Sequence, residues 1–216
     1  MKYKLIIFDL DGTILDTLDD LCDSVNFALK KHSLPERSLT EVRAFVGNGI
    51  RRLIDLSVPE KTEKEVTDSV FECFRNHYKD HSCDKTCPYD GITGLLEQIK
   101  DNGIQTAVVS NKADFAVKNL IDKYFNGLFP YAAGEKNGIP RKPSPEMVHN
   151  AINFFNISPE QALYVGDSEV DVITAKNSGI DSIIVTWGFR DKCELLEVGA
   201  ENIAEDMSSL EAFILQ

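Results

Sequence analysis

Apolar positions along this chain follow two rhythms. Runs that read as uninterrupted β-type sequence occur at Tyr3 to Phe8, Ile104 to Val109, Ala162 to Val165 and Ser182 to Thr186. A strand buried on both faces has no polar alternation, so such runs predict central strands. Between the later runs the apolar spacing is helical, and strands alternating with helices imply a doubly wound parallel sheet. Local punctuation agrees: Ser144-Pro145 reads as an N-cap and first turn, and Gly179 as the stop of a helix over Glu169 to Ser178. The expected fold class is therefore α/β.

The first run and the second are separated by about ninety residues, whereas a single crossover needs only a dozen or so. Something is inserted there. From Thr17, expected to cap a helix with Asp20 three residues on, Leu18, Leu21, Cys22, Val25, Ala28 and Leu29 keep helical spacing, as do Val66, Val70, Cys73, Phe74, His77 and Tyr78. The insertion is expected to be a helical cap over residues 16–86, carried by a core of residues 1–15 and 87–216. Its linkers lie near Leu15 to Thr17 and Thr86 to Asp90, the second marked by Pro88 and Gly91.

A chain of 216 residues can bury one good core plus a small accessory domain. Its net charge of -12 argues against a broad nucleic-acid surface or docking on anionic lipid, so any phosphate must be met by a local pocket. Lys2 and Lys4 precede an apolar stretch that Asp9 cuts short, unlike a signal peptide, and no run approaches a membrane span. The 5 cysteines are scattered and odd in number, as suits reduced thiols, and a cytoplasmic setting is expected.

Candidate chemistry concentrates where the runs end. Asp9-Leu10-Asp11-Gly12-Thr13 closes the first one, and ligands of open α/β sheets sit beyond the carboxyl ends of the strands. A plain polar turn would use the same residue types. A calcium-binding EF-hand loop does not fit, because counting from Asp9 puts Ile14 where Gly is needed and Asp20 where a bidentate Glu belongs. Ser110-Asn111 follow the second run, Lys142 stands within Pro140 to Pro145, and Gly166-Asp167-Ser168-Glu169-Val170-Asp171 follow the third. Each alone has a simple explanation as a cap, a solvated lysine or a turn. A doubly wound sheet brings all of them to one edge.

Taken together, these motifs resemble those of the haloacid dehalogenase superfamily, in its phosphatase branch with a small helical cap and most closely its phosphoglycolate phosphatase-like group. The first motif matches Asp9 to Thr13, the second Ser110-Asn111, the third Lys142, and the fourth Gly166-Asp167 with Asp171. The resemblance implies a Rossmann-like core and a magnesium-dependent phosphatase of a small phosphorylated metabolite, 2-phosphoglycolate foremost. Asp9 would be the nucleophile that forms an aspartyl-phosphate, and Asp11 the general acid and base. It assigns the metal to the Asp9 side chain, the Asp11 carbonyl and Asp167, with Asp171 in or just outside the shell. Ser110, Lys142 and the backbone amides of Leu10, Asp11 and Asn111 would hold phosphate oxygens. Arg141 gains no role.

Gly47-Asn48-Gly49 resembles the group's cap loop that faces the active site, which makes Asn48, Arg51 and Arg52 candidates for the substrate's non-phosphate end; a helix cap followed by two solvated arginines reads equally well. His77, His81, Cys83 and Cys87 lack common zinc-site spacing. A phosphosugar mutase, a pyrophosphatase or a nucleotidase could use the same catalytic set, so cap residues and product assays must separate them. A receiver-type signalling domain fits poorly, since Ser110 and not an aspartate ends the second run. Monomer and dimer are not distinguished.

Overall fold

A computed structural model describes residues 2–216. The first apolar run forms β1 (Leu5–Phe8), buried throughout. The chain leaves through β2 (Leu15–Asp16) into four helices, α1 (Leu18–Lys31), α2 (Leu39–Phe45), α3 (Gly49–Ser57) and α4 (Lys64–His81), and returns through β3 (Cys87–Pro88). Then come α5 (Ile92–Asp101), β4 (Gln105–Ala113), α6 (Asp114–Tyr124), β5 (Tyr131–Glu135), α7 (Glu146–Phe155), β6 (Ala162–Gly166), α8 (Glu169–Ser178), β7 (Asp181–Val185), α9 (Lys192–Glu197), β8 (Ile203–Ala204) and α10 (Met207–Ile214).

Six strands form one parallel sheet in the order β5-β4-β1-β6-β7-β8. The α/β expectation holds. Phe8 lies opposite both Val108 and Val165, so Asp9, Ser110 and Asp167 follow within two residues of one level and reach the same edge, although β4 itself continues to Ala113. Strand order reverses beside β1, the place where open sheets bind ligands. The absence of polar alternation in the first run has its cause here: Leu5 and Ile7 enter a fully buried cluster with Val109, Val148, Ile152 and Tyr164, and burying each such side chain contributes roughly 1.5–3 kcal/mol.

Sequence pattern missed the sheet's outer members. β5 (Tyr-Ala-Ala-Gly-Glu) and the two-residue β8 carry too little apolar signal to register. β4 runs on through Ala113, with a register shift after Val109. At α7 the N-cap is Pro145 and not Ser144, whose hydroxyl bonds the Glu146 carboxylate instead. Gly179 does end α8, at φ 68°.

Residues 16–87 form a compact unit separate from residues 1–15 and 88–216. Within it α1 and α4 pack together, burying Leu21, Val25, Ala28 and Leu29 on one and Val70, Phe74 and Tyr78 on the other. Thr17 does precede α1, yet its side chain makes no capping bond. Asp20, which was expected to complete a capping box, points elsewhere. Its carboxylate accepts from Lys85 N at 2.9 Å, Thr86 N at 2.8 Å and Thr86 Oγ1 at 2.7 Å, tying the start of the unit to its end. His77 is likewise structural: it stacks on Phe27 and His81, with Nδ1 3.0 Å from Ser24 Oγ.

Candidate active site

Past Phe8 the backbone turns sharply at Gly12, φ 82°, and Leu10 O receives Ile14 N and Leu15 N at 3.1 and 3.0 Å. Glycine is needed there for space as well as for its positive φ, because a Cβ would fall 2.4 Å from Asp167 Oδ2. Gly188 crowds the same carboxylate from another direction, its own hypothetical Cβ also 2.4 Å away. Between these glycines Asp167, 1% exposed, accepts from Thr13 Oγ1 at 3.0 Å and Phe189 N at 2.8 Å. The Asp-x-Asp-Gly-Thr turn and the Gly-Asp turn after β6 are thus built to meet.

Asp171 is held more tightly still. It occupies the third position of α8, closing a capping box with Ser168. Its Oδ2 accepts from Asp167 N, Ser168 N and Ser168 Oγ, and its Oδ1 from Lys142 Nζ at 2.8 Å and Tyr164 OH at 3.0 Å. Lys142, 2% exposed, also bonds Tyr164 OH at 3.0 Å. Its ammonium lies 2.9 Å from Asp9 Oδ1, an electrostatic contact without donor alignment, since that buried oxygen has no hydrogen-bond partner among the described residues. Asn111 clamps the backbone of Lys142, Oδ1 receiving Lys142 N at 2.8 Å while Nδ2 donates to Lys142 O at 3.1 Å. The Asn111 side chain therefore positions the lysine.

Charge does not balance in this pocket. Carboxylate oxygens of Asp9, Asp167 and Asp171 come within 4.8 Å of one another, and Lys142 is the cation among them. Burial pushes the Asp9 carboxyl up to about 6, although Lys142 pulls the other way. Burial, then Asp171 and Asp9, push Asp167 well above the carboxylate range. Burial also opposes Asp171, but Lys142 and its hydrogen bonds more than offset this and hold it low. For Lys142 itself burial works against the charge, and Asp171 and Asp9 overcome it to raise the ammonium well above its usual value. Two buried carboxylates left short of positive charge, one with an orphaned oxygen, fit a hard divalent cation with oxygen ligands. Asp171, saturated by five donors, fits the task of orienting that set.

Sequence reasoning overlooked two members of the cluster. Tyr164 reads as one more apolar residue of a buried strand, although a buried tyrosine hydroxyl normally seeks a partner. Lys112 lies two residues beyond Ser110 on β4, 5% exposed, with Nζ 2.8 Å from Asp11 Oδ1. Ser110, 2% exposed, accepts from Lys112 N at 3.3 Å. Arg141 stands apart, 4.0 Å from Glu135. Within the helical unit Asn48 is the N-cap of α3 without a side-chain bond, Arg52 is exposed, and Arg51 is engaged by Asp55 and Asp68 over the Phe71 ring.

A parallel sheet whose switch point carries a carboxylate cluster, a buried lysine and a buried serine on β4 defines a hydrolase of the haloacid dehalogenase class. The family model of haloacid dehalogenase-like hydrolases matches residues 6–185, and the chain belongs to that family. Among its relatives, the phosphoglycolate phosphatase of Aquifex aeolicus is 33% identical over 86% of this chain and 86% of its own. That of Mannheimia succiniciproducens is 31% identical over 97% of each. A crystal structure from Lactobacillus delbrueckii subsp. bulgaricus, provisionally described as a phosphoglycolate phosphatase, superposes with a TM-score of 0.94 at 36% identity, covering 99% of both chains.

Proposed function

We propose that this phosphatase hydrolyses 2-phosphoglycolate through an aspartyl-phosphate on Asp9. The observation that carries the reading is the orphaned Oδ1 of buried Asp9, next to the Lys142 ammonium and the Asp167 carboxylate. That oxygen, in ion-pair contact with Lys142 but with no aligned donor, in a pocket that a bound divalent cation would make able to neutralise an incoming phosphate, suits in-line attack. As Asp9 bonds to phosphorus the ester oxygen leaves, taking a proton from Asp11. Asp11 then accepts a proton from the water that attacks the phosphoenzyme, which releases phosphate and restores Asp9. Ser110 Oγ, the Lys142 ammonium and the strand-end amides of Leu10, Asp11 and Asn111 hold the phosphoryl oxygens. Magnesium held by Asp9, the Asp11 carbonyl and Asp167, with Asp171 orienting them, would supply the positive charge that lets a carboxylate approach a phosphate dianion.

The substrate part of the reading draws on the relatives named above. Residues 16–87 are read as the cap of such an enzyme. Asn48, Arg51 and Arg52 are its candidates for contact with substrate, although Arg51 already answers two carboxylates. Comparing kcat/KM for 2-phosphoglycolate, β-glucose 1-phosphate, a nucleoside monophosphate and pyrophosphate tests the assignment. A preference for any of the other three would replace the substrate and keep the chemistry. Label appearing on Ser110 after acid quench would reject Asp9 as nucleophile.

A further inference from the structure

We propose that the Lys112 ammonium receives the second anionic group of the substrate, a carboxylate one carbon away from the phosphoester oxygen. This rests on the function proposed above and deepens it by placing the specificity element in the α/β unit.

Burying an ammonium is costly unless an opposite charge accompanies it. Lys112 is buried at the end of β4, its side chain 3% exposed, and its partner Asp11 is the more accessible of the two at 15%. Ser110, assigned to the phosphoryl group, accepts from Lys112 N at 3.3 Å, so the two residues leave β4 beside one another. Asp11 must come within hydrogen-bond reach of the leaving oxygen, roughly 3 Å, and Lys112 Nζ is 2.8 Å from that carboxylate. A group on the adjacent carbon that lies on the β4 side of Asp11 therefore enters the reach of Nζ. A carboxylate arriving there exchanges for that of Asp11 like for like, so the ammonium keeps a charged partner throughout. A neutral hydroxyl cannot make that exchange, and the ammonium stays on Asp11. Arg51, by contrast, has two carboxylates and an exposed side chain, so its charge calls for no further partner.

The test compares 2-phosphoglycolate with 2-hydroxyethyl phosphate, a monoester of similar size whose tail is neutral. Wild-type enzyme should favour the first. In Lys112→Met that preference should fall about 10- to 100-fold, the weight of one charged hydrogen bond, mainly through KM, and Lys112→Arg should restore part of it. Thermal unfolding checks each variant, and if Lys112→Met does not fold, Lys112→Gln carries the same comparison. An unchanged preference in these variants overturns the proposal. So does an equal fall in kcat on both substrates with KM untouched, which would make Lys112 a positioning residue for Asp11. Wild-type enzyme inactive on 2-phosphoglycolate but active on another monoester would sink the substrate reading itself, a result distinct from either of these.

Discussion

The aspartates of the pocket share a residue type and little else. Asp9 has an oxygen without a donor, Asp167 is wedged between glycines, and Asp171 is saturated. Their substitutions should differ accordingly. Asp9→Asn should fold normally, form no phosphoenzyme and lose about 10³-fold or more in rate, read by acid-quench labelling. Asp171→Asn should act on stability as well, by about 3–5 kcal/mol, because it strips a buried ion pair from Lys142; chemical denaturation measures this. The run-end residues were legible because a charge at the end of an apolar run is conspicuous. Lys112 and Tyr164 were not, since what singles them out is a partner that only the fold brings near, Asp11 for one and Lys142 for the other.

At the scale of elements, β4 is a delivery strand for three consecutive polar residues, and Asn111 is the middle one. Asn111→Ala should release the Lys142 backbone and lower kcat about 10-fold with a smaller change in KM, as steady-state kinetics would record. Within the helical unit, Asp20 ties α1 to the Lys85-Thr86 segment. Asp20→Ala should cost about 2–4 kcal/mol there, since it leaves buried donors unanswered, and hydrogen exchange should rise in α1 and α4 ahead of the central strands. Sequence spacing predicted a capping box at Thr17 and Asp20 because the pattern fits one. Tertiary hydrogen bonds proved the stronger claim on Asp20. The central strands were readable for the opposite reason, since burial on both faces leaves no competing signal, whereas the edge strands β5 and β8 lack a burial demand strong enough to mark them.

For the molecule as a whole, the unbalanced acidic pocket links metal, protons and stability. The Asp9 carboxyl, raised to about 6 by burial, binds a proton in the folded metal-free protein at pH values where the unfolded chain has already released it. Its contribution to stability is therefore present below about pH 4 and fades as the pH climbs through 6. A divalent cation replaces that proton, so the rise in Tm on adding magnesium should be larger at pH 7.5 than at pH 5, measured by calorimetry in each buffer. Chelation should abolish turnover. Asp167→Asn should shift the magnesium activation curve to higher concentration by about 10-fold. A flat magnesium response across this pH range would mean that the cluster holds no cation.

The position of β1 in the sheet has a consequence for how the chain is made. Leu5 pairs with both Gln105 and Ala162, so the strand that leads into Asp9 meets its first neighbour only when about half of the 216 residues have left the ribosome, and its second about fifty residues later. Residues 16–87, by contrast, are contiguous and emerge together. Loop closure over such distances is slow compared with local helix packing, and an unpaired apolar strand in a nascent chain invites aggregation. Moving Met1 to Asp16 to the C-terminus by circular permutation would let β4, β5 and β6 gather first and receive β1 last. Comparing soluble yield between the permuted and natural chains would show how much of this protein's folding burden comes from making β1 ahead of both its neighbours.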